Sequence, residues 1–209
     1  MLLVLIYLCC IIPVSKSAGQ DSIMYYPSGA VRSEGKYTDN LREGEWKFYY
    51  PNGMLSAREK YRLNLLHGLS QYYDDHGNLL ASEQWENGLQ HDSSKYYYAN
   101  GKIEKEGIFH KSLHEGVWCF YHENGNLKRR GKYINGLPEG EWIIYYRSGV
   151  IWQSGTYLNG IEDGKWEFYD RKGCIRYNGQ FTSGMRTGTW YKIQKSGRKK
   201  VFYNYLPKN

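Results

Sequence analysis

Cysteine is nearly missing from the body of this chain. Of four cysteines, Cys9 and Cys10 fall within the first ten residues, leaving only Cys119 and Cys174. Two thiols cannot build the disulfide framework of a small secreted scaffold. A long apolar run is missing too: Leu2–Val14 is too short for a comfortable membrane-spanning helix. Prolines number five, and no stretch carries the periodicity of a helix that could cover a sheet. Charge of one sign does not dominate. The formal net charge is +7, enough for solubility and mild attraction to anionic surfaces, but not a nucleic-acid footprint. No phosphate-binding glycine loop, Ser/His/Asp arrangement or carboxylate pair stands out, so the reading is non-enzymatic, with no cofactor.

What is present is aromatic and glycine-rich: 22 Tyr, 7 Trp and 24 Gly, a composition suited to strands and tight turns. These residues repeat every 24 positions. An opening glycine recurs at Gly44, Gly68, Gly116, Gly140, Gly164 and Gly188, with Asp92 in the one exceptional slot. A turn glycine recurs without a break from Gly29 through Gly53, Gly77, Gly101, Gly125, Gly149 and Gly173 to Gly197. A late aromatic does the same from Tyr37 to Tyr205. Such a fixed period marks a repeat architecture in which each unit buries its surface against the next.

Each unit reads as a β-hairpin. In the second, Trp46–Tyr50 is the first strand and Leu55–Tyr61 the second, joined at Asn52-Gly53 by a two-residue type I′ turn. That loop places Tyr50 opposite Leu55, Phe48 opposite Ala57 and Trp46 opposite Glu59. In later units it pairs Trp118 with Gly131, Trp142 with Gly155 and Trp166 with Gly179, an indole shielding bare strand backbone. Trp46, Trp118, Trp142, Trp166 and Trp190, with turn glycines Gly53, Gly101, Gly125 and Gly149, are therefore the structural residues. Alternation puts Trp46, Phe48, Leu55 and Tyr61 on an apolar face, and Lys47, Tyr49, Ser56, Arg58 and Lys60 on a polar one. The expected fold is all-β: an elongated single-layer antiparallel β-meander of about eight 24-residue hairpin repeats. Its apolar face must curl, twist or meet a partner. A propeller with two repeats per blade is disfavoured because odd and even repeats do not differ.

The run Gly131-Lys-Tyr133-Ile-Asn135-Gly136-Leu-Pro-Glu-Gly140-Glu-Trp142 resembles the MORN repeat. The spacing of Trp142, Tyr145, Tyr146 and Gly149 is closer to the bacterial second type of that repeat, found in YwqK-like proteins often labelled as antitoxins. The resemblance covers roughly residues 22–205. It implies an elongated single-layer antiparallel sheet used for protein or membrane contact, without catalysis. Ahead of it, Leu2–Val14 followed by small residues at Ser15, Ser17, Ala18 and Gly19 reads as a signal peptide at 1–19, although no Lys or Arg precedes the run. A retained anchor and a buried structural segment are the alternatives. Bulky Tyr7 and Leu8 argue against a lipoprotein reading through Cys9. The repeat domain then occupies 20–209. The expected location is exported (periplasm, cell surface or secreted), or cytoplasmic if the segment is not a functional signal.

The binding candidates are surfaces. Tyr49, Tyr73, Tyr97, Tyr121, Tyr145 and Tyr169 form a column on the polar face, able to contact a ligand or simply to reinforce the sheet as a cross-strand ladder. The basic cluster Lys192, Lys195, Arg198, Lys199 and Lys200 reads as an edge cap against further strand pairing, or as a site for acidic groups. Glu43, His67, His91, Glu115, Glu139 and Asp163, each preceding an opening position, read as turn chemistry. Neighbouring units lie roughly 9–10 Å apart, too far for the six to share metal ions. His110 and His114 lack a third ligand, and no metal site is expected. Cys119 and Cys174, two repeats apart, are expected to be unpaired. The leading function is a scaffold binding another protein or an envelope component, with a membrane surface possible and no nucleic acid. A YwqK-like antitoxin binding a toxin partner, and a cell-wall glycan-binding module, are the alternatives.

Overall fold

The computed structural model describes residues 19–205; the expected signal segment lies, but for Gly19, outside the described residues. The strands are β1 (Gln20–Tyr25), β2 (Val31–Thr38), β3 (Leu41–Tyr49), β4 (Leu55–Arg62), β5 (Leu65–Leu66), β6 (Gly68–Tyr73), β7 (Leu79–Glu86), β8 (Leu89–Tyr97) and β9 (Ile103–His110). They continue as β10 (Leu113–Tyr121), β11 (Leu127–Ile134), β12 (Leu137–Tyr145), β13 (Ile151–Leu158), β14 (Ile161–Tyr169), β15 (Ile175–Thr182), β16 (Met185–Ile193) and β17 (Lys199–Tyr205). Each strand pairs antiparallel with its successor; β5 and β6 share β4 and form one strand line broken at His67, whose N–H reaches the Lys60 carbonyl at 2.7 Å. Among the described residues β1 pairs only with β2 and β17 only with β16, so the sheet is one open layer. The expected all-β meander is what forms, and a continuous sheet excludes separate propeller blades.

Two kinds of turn alternate, and here the hairpin reading needs correcting. Asn52-Gly53 is not a type I′ turn. Gly53 N–H bonds to the Tyr50 carbonyl (2.9 Å) and Tyr50 N–H to the Met54 carbonyl (2.8 Å), which makes a three-residue loop. Pro51 starts a type I turn and only Gly53, at φ 85°, takes the left-handed conformation. The Pro-Asn-Gly order was the signal for this loop, because proline presets the φ of the second turn position. The two-residue type I′ turns lie at the other end of the strands, between repeats: Asn135-Gly136 has φ 50° and 81°, Asn159-Gly160 50° and 84°.

The longer loop has a consequence for the faces. Phe48 meets Ala57 and Trp46 meets Glu59 as expected, but Tyr49, not Tyr50, meets Leu55. Ser56 is the extra residue of a β-bulge. Cross-strand partners share a face, so Leu55 joins Tyr49 on the polar side instead of joining Trp46. Ile151, opposite Tyr145, does the same. The bulged position, occupied by Trp152 and Arg176 in later repeats, turns to the indole side. There Trp152 packs 6.1 Å from Tyr146.

The core is made within a single layer. Trp46, Trp118, Trp142, Trp166 and Trp190 are all buried without a second layer above them. Trp142 does oppose Gly155 in register, yet its ring lies over the glycine of the preceding strand, Gly131, where a β-carbon would fall inside the indole. The same holds for Trp46 over Gly35, Trp118 over Gly107, Trp166 over Gly155 and Trp190 over Gly179. The ladder steps out of register at each of these glycines. The indole N–H donates to the next carbonyl, at 3.2 Å to Lys36 and Lys132 and at 2.9 Å to Ile108. The preceding late aromatic closes each ring edge-on, as Tyr133 does at 5.1 Å from Trp142.

This geometry explains the irregular repeats. Where the preceding strand carries Glu59 or Glu83 in place of glycine, the indole position holds Ser70 or Ser94. A glutamate side chain and an indole cannot share the slot. All the buried side-chain polar atoms without a partner among the described residues lie in this stretch: His67 Nδ1, Ser70 Oγ, Trp85 Nε1 and Ser94 Oγ.

Candidate functional site

The residues that carry hydrogen-bonding power are mostly spent on holding neighbouring repeats together. Glu43, Glu115, Glu139 and Asp163 accept from the N–H groups of Leu63, Asn135, Asn159 and Ser183, each the first residue of the next type I′ turn, at 3.0, 3.0, 2.8 and 3.2 Å. The expected turn chemistry is therefore what these acids do. Tyr26, Tyr50, Tyr98 and Tyr146 reach the backbone carbonyl one repeat ahead at 2.7–2.9 Å. Asn52, Asn100 and Asn124 lace successive three-residue loops in the same way.

The tyrosine column Tyr49, Tyr73, Tyr97, Tyr121, Tyr145 and Tyr169 is half-buried throughout. Tyr49 donates to Glu34 (2.7 Å), Tyr121 to Glu106 (2.8 Å) and Tyr169 to Glu167 (2.7 Å). Burial, followed by the bond to Glu34, pushes the Tyr49 hydroxyl up to about 12. The Glu34 carboxyl is drawn below its ordinary range, first by that same bond. These three hydroxyls already have acceptors, so at Tyr49, Tyr121 and Tyr169 it is the ring that is left for contact.

Lys192, Lys195, Arg198, Lys199 and Lys200 gather on the hairpin of β16 and β17, with Lys192 directly opposite Lys200 at the sheet's outer edge. His110 and His114 part company. His110 lies 5.2 Å from the His91 ring, while His114 stacks on Phe109 at 4.8 Å, its pKa lowered by burial and then by Lys105 and Arg129. Cys119 and Cys174 are free. A cluster that the sequence reading passed over, Asp74, Asp75 and His76, sits on an exposed loop. Asp74 serves that loop, accepting from His76 N–H at 3.0 Å and Asn78 N–H at 2.8 Å.

An aromatic groove was also missed. On the indole face, Tyr146, Trp152, Phe168, Tyr177, Trp190 and Phe202 line a groove of about 470 Å³. Arg176 spans its rim, held to Asp170 by Nε (2.7 Å) and Nη2 (2.6 Å). Arg186 lies over Trp190 with its guanidinium carbon 4.6 Å from the ring centroid. Strict alternation had put Trp152 and Arg176 on the other face; the bulge brings them here. In the last hairpin the bulge moves to residue 202 (Tyr191 pairs with Val201, Trp190 with Tyr203), and Phe202 packs 5.2 Å from Tyr177.

A family model described as a MORN repeat variant matches residues 42–62, 66–87, 93–111, 115–135 and 138–159. The chain belongs to this family of MORN repeat proteins, whose repeats generally serve as protein- or membrane-interaction modules rather than as enzymes. No curated protein matches the chain. The first matched segment is one β3–loop–β4 hairpin, and the same hairpin recurs on both sides of the matched region.

Proposed function

We propose that this chain is an exported, non-enzymatic MORN-type scaffold that presents its sheet faces to another protein or to an envelope component. The observation that carries the reading is the open single layer, in which Glu43, Glu115, Glu139 and Asp163 and the hydroxyls of Tyr26, Tyr50, Tyr98 and Tyr146 bond between repeats while rings and basic groups remain at the surface. The export part rests on the apolar run Leu2–Val14 and the small residues after it. A YwqK-like antitoxin would use the same surface inside the cell, and a glycan module would use its rings against the wall.

Cell fractionation with N-terminal sequencing, followed by crosslinking capture from the fraction that holds the protein, tests this. The expected product begins near Gln20, sits outside the cytoplasm and captures a protein or envelope partner. A purely cytosolic protein retaining residues 1–19 overturns export. Capture of a toxin there supports the antitoxin, and retention on purified wall polysaccharide supports the glycan module.

A further inference from the structure

Resting on the reading of the sheet as an interaction surface, we propose that the groove across β13–β17 docks an acidic segment of a partner protein that inserts an aromatic or aliphatic side chain over Phe168 and Tyr177. Trp152 and Phe202 mark its two ends and are 45% and 52% exposed, so the rings are available to a ligand. Those ends lie four strand spacings apart, about 19 Å, the length of five or six extended residues. Among the described residues no other repeat carries a ring at the position of Tyr177, where Ser33, Ala57, Ala81, Lys105, Arg129, Gln153 and Val201 stand, or at that of Trp152, where Arg32, Ser56, Leu80, Glu104, Lys128, Arg176 and Lys200 stand.

The charged groups select the partner's chemistry. Asp170 has no oxygen to spare: Oδ1 accepts from Lys172 N–H (2.9 Å) and Cys174 N–H (3.0 Å), and Oδ2 takes both Arg176 contacts. The charged groups left for a ligand are all cationic: the outer N–H groups of Arg176 and the exposed Arg186, which no ion pair engages among the described residues. Arg171 adds a third cation 5.9 Å from the Tyr146 ring. Aromatic walls with guanidinium donors and no free carboxylate match a carboxylate beside an apolar side chain. A neutral sugar would leave these cations without a counter-charge, and a basic segment would be repelled outright.

The test uses the full chain and a fluorescein-labelled pentapeptide with one phenylalanine flanked by two glutamates on each side, read by fluorescence polarisation. Saturable binding is expected, weakened at least tenfold by Trp152→Ala and by Arg186→Gln, both exposed positions whose variants are checked for native circular dichroism. A peptide with serine for phenylalanine, or with lysines for glutamates, is expected to lose binding to the same degree. Absence of saturable binding, indifference to either substitution, or equal binding of the lysine peptide overturns the proposal. So does preference for a neutral oligosaccharide. Partner capture by the Trp152→Ala protein at the wild-type level would sink the groove while leaving the scaffold reading intact.

Discussion

Gly131 and Trp142 are predicted to behave as one unit in a double-mutant cycle. Trp142 is 3% exposed and lies on the Gly131 backbone, with its N–H on the Lys132 carbonyl. Replacing it with serine removes most of a buried indole, a loss of about 3–5 kcal/mol for such truncations. Gly131→Ala places a methyl inside the ring, and overpacking of this kind costs about 1–3 kcal/mol. In the Trp142→Ser background that methyl meets no ring, so alanine costs little. The expected coupling is about 1–3 kcal/mol, the two changes together being less harmful than their sum. For a chain of this size 2 kcal/mol corresponds to roughly 4–8 °C in Tm. Urea unfolding of the four proteins, with amide exchange in β11 and β12 to localise the effect, measures it. Additive effects would refute the indole-over-preceding-glycine geometry. So would coupling of Trp142 to Gly155 with none to Gly131. The natural exchange of both partners at Glu59/Ser70 and Glu83/Ser94 is the same coupling written into the chain.

Three further outcomes follow from the turns and the tyrosines. Asp92 sits at φ 67° where its counterparts are glycine, so Asp92→Gly is expected to stabilise by about 0.5–1 kcal/mol, read as a raised urea midpoint at unchanged slope. Glu139→Ala removes the acceptor of Asn159 N–H and is expected to cost about 0.5–1.5 kcal/mol; Glu139→Gln, which keeps an oxygen there, is expected to cost less. Tyr49 and Tyr61 titrate near 12 in the fold, each raised first by burial and then by its glutamate partner. A folded pKa above the unfolded value means stability that is complete below about pH 10 and lost as pH rises through 12. Ultraviolet tyrosinate absorbance should therefore show a late-titrating class that disappears in denaturant. A single transition near pH 10 in the folded protein would refute the assignment.

Much of this molecule is written in its 24-residue period. Alternating rings, regular glycines and the absence of any helical pattern dictate an antiparallel meander, because each requirement is local: side-chain alternation, turn conformation, a fixed repeat length. Even the Trp142–Gly155 register was legible, and the acids ahead of the opening glycines could be assigned to turns, where they bond. The exported location, by contrast, rests on sequence alone. What the tertiary structure decided was everything that depends on one extra residue in a strand. The bulge at Ser56 and its equivalents swaps faces, sends Leu55 and Ile151 to the tyrosine side, and brings Trp152 and Arg176 onto the indole side. A bulge is stabilised by contacts across two strands, and strict alternation has no means of counting it. Which of two flanking glycines an indole covers is likewise set by side-chain direction, not by register. The groove between Trp152 and Phe202 exists only because those non-local choices were made.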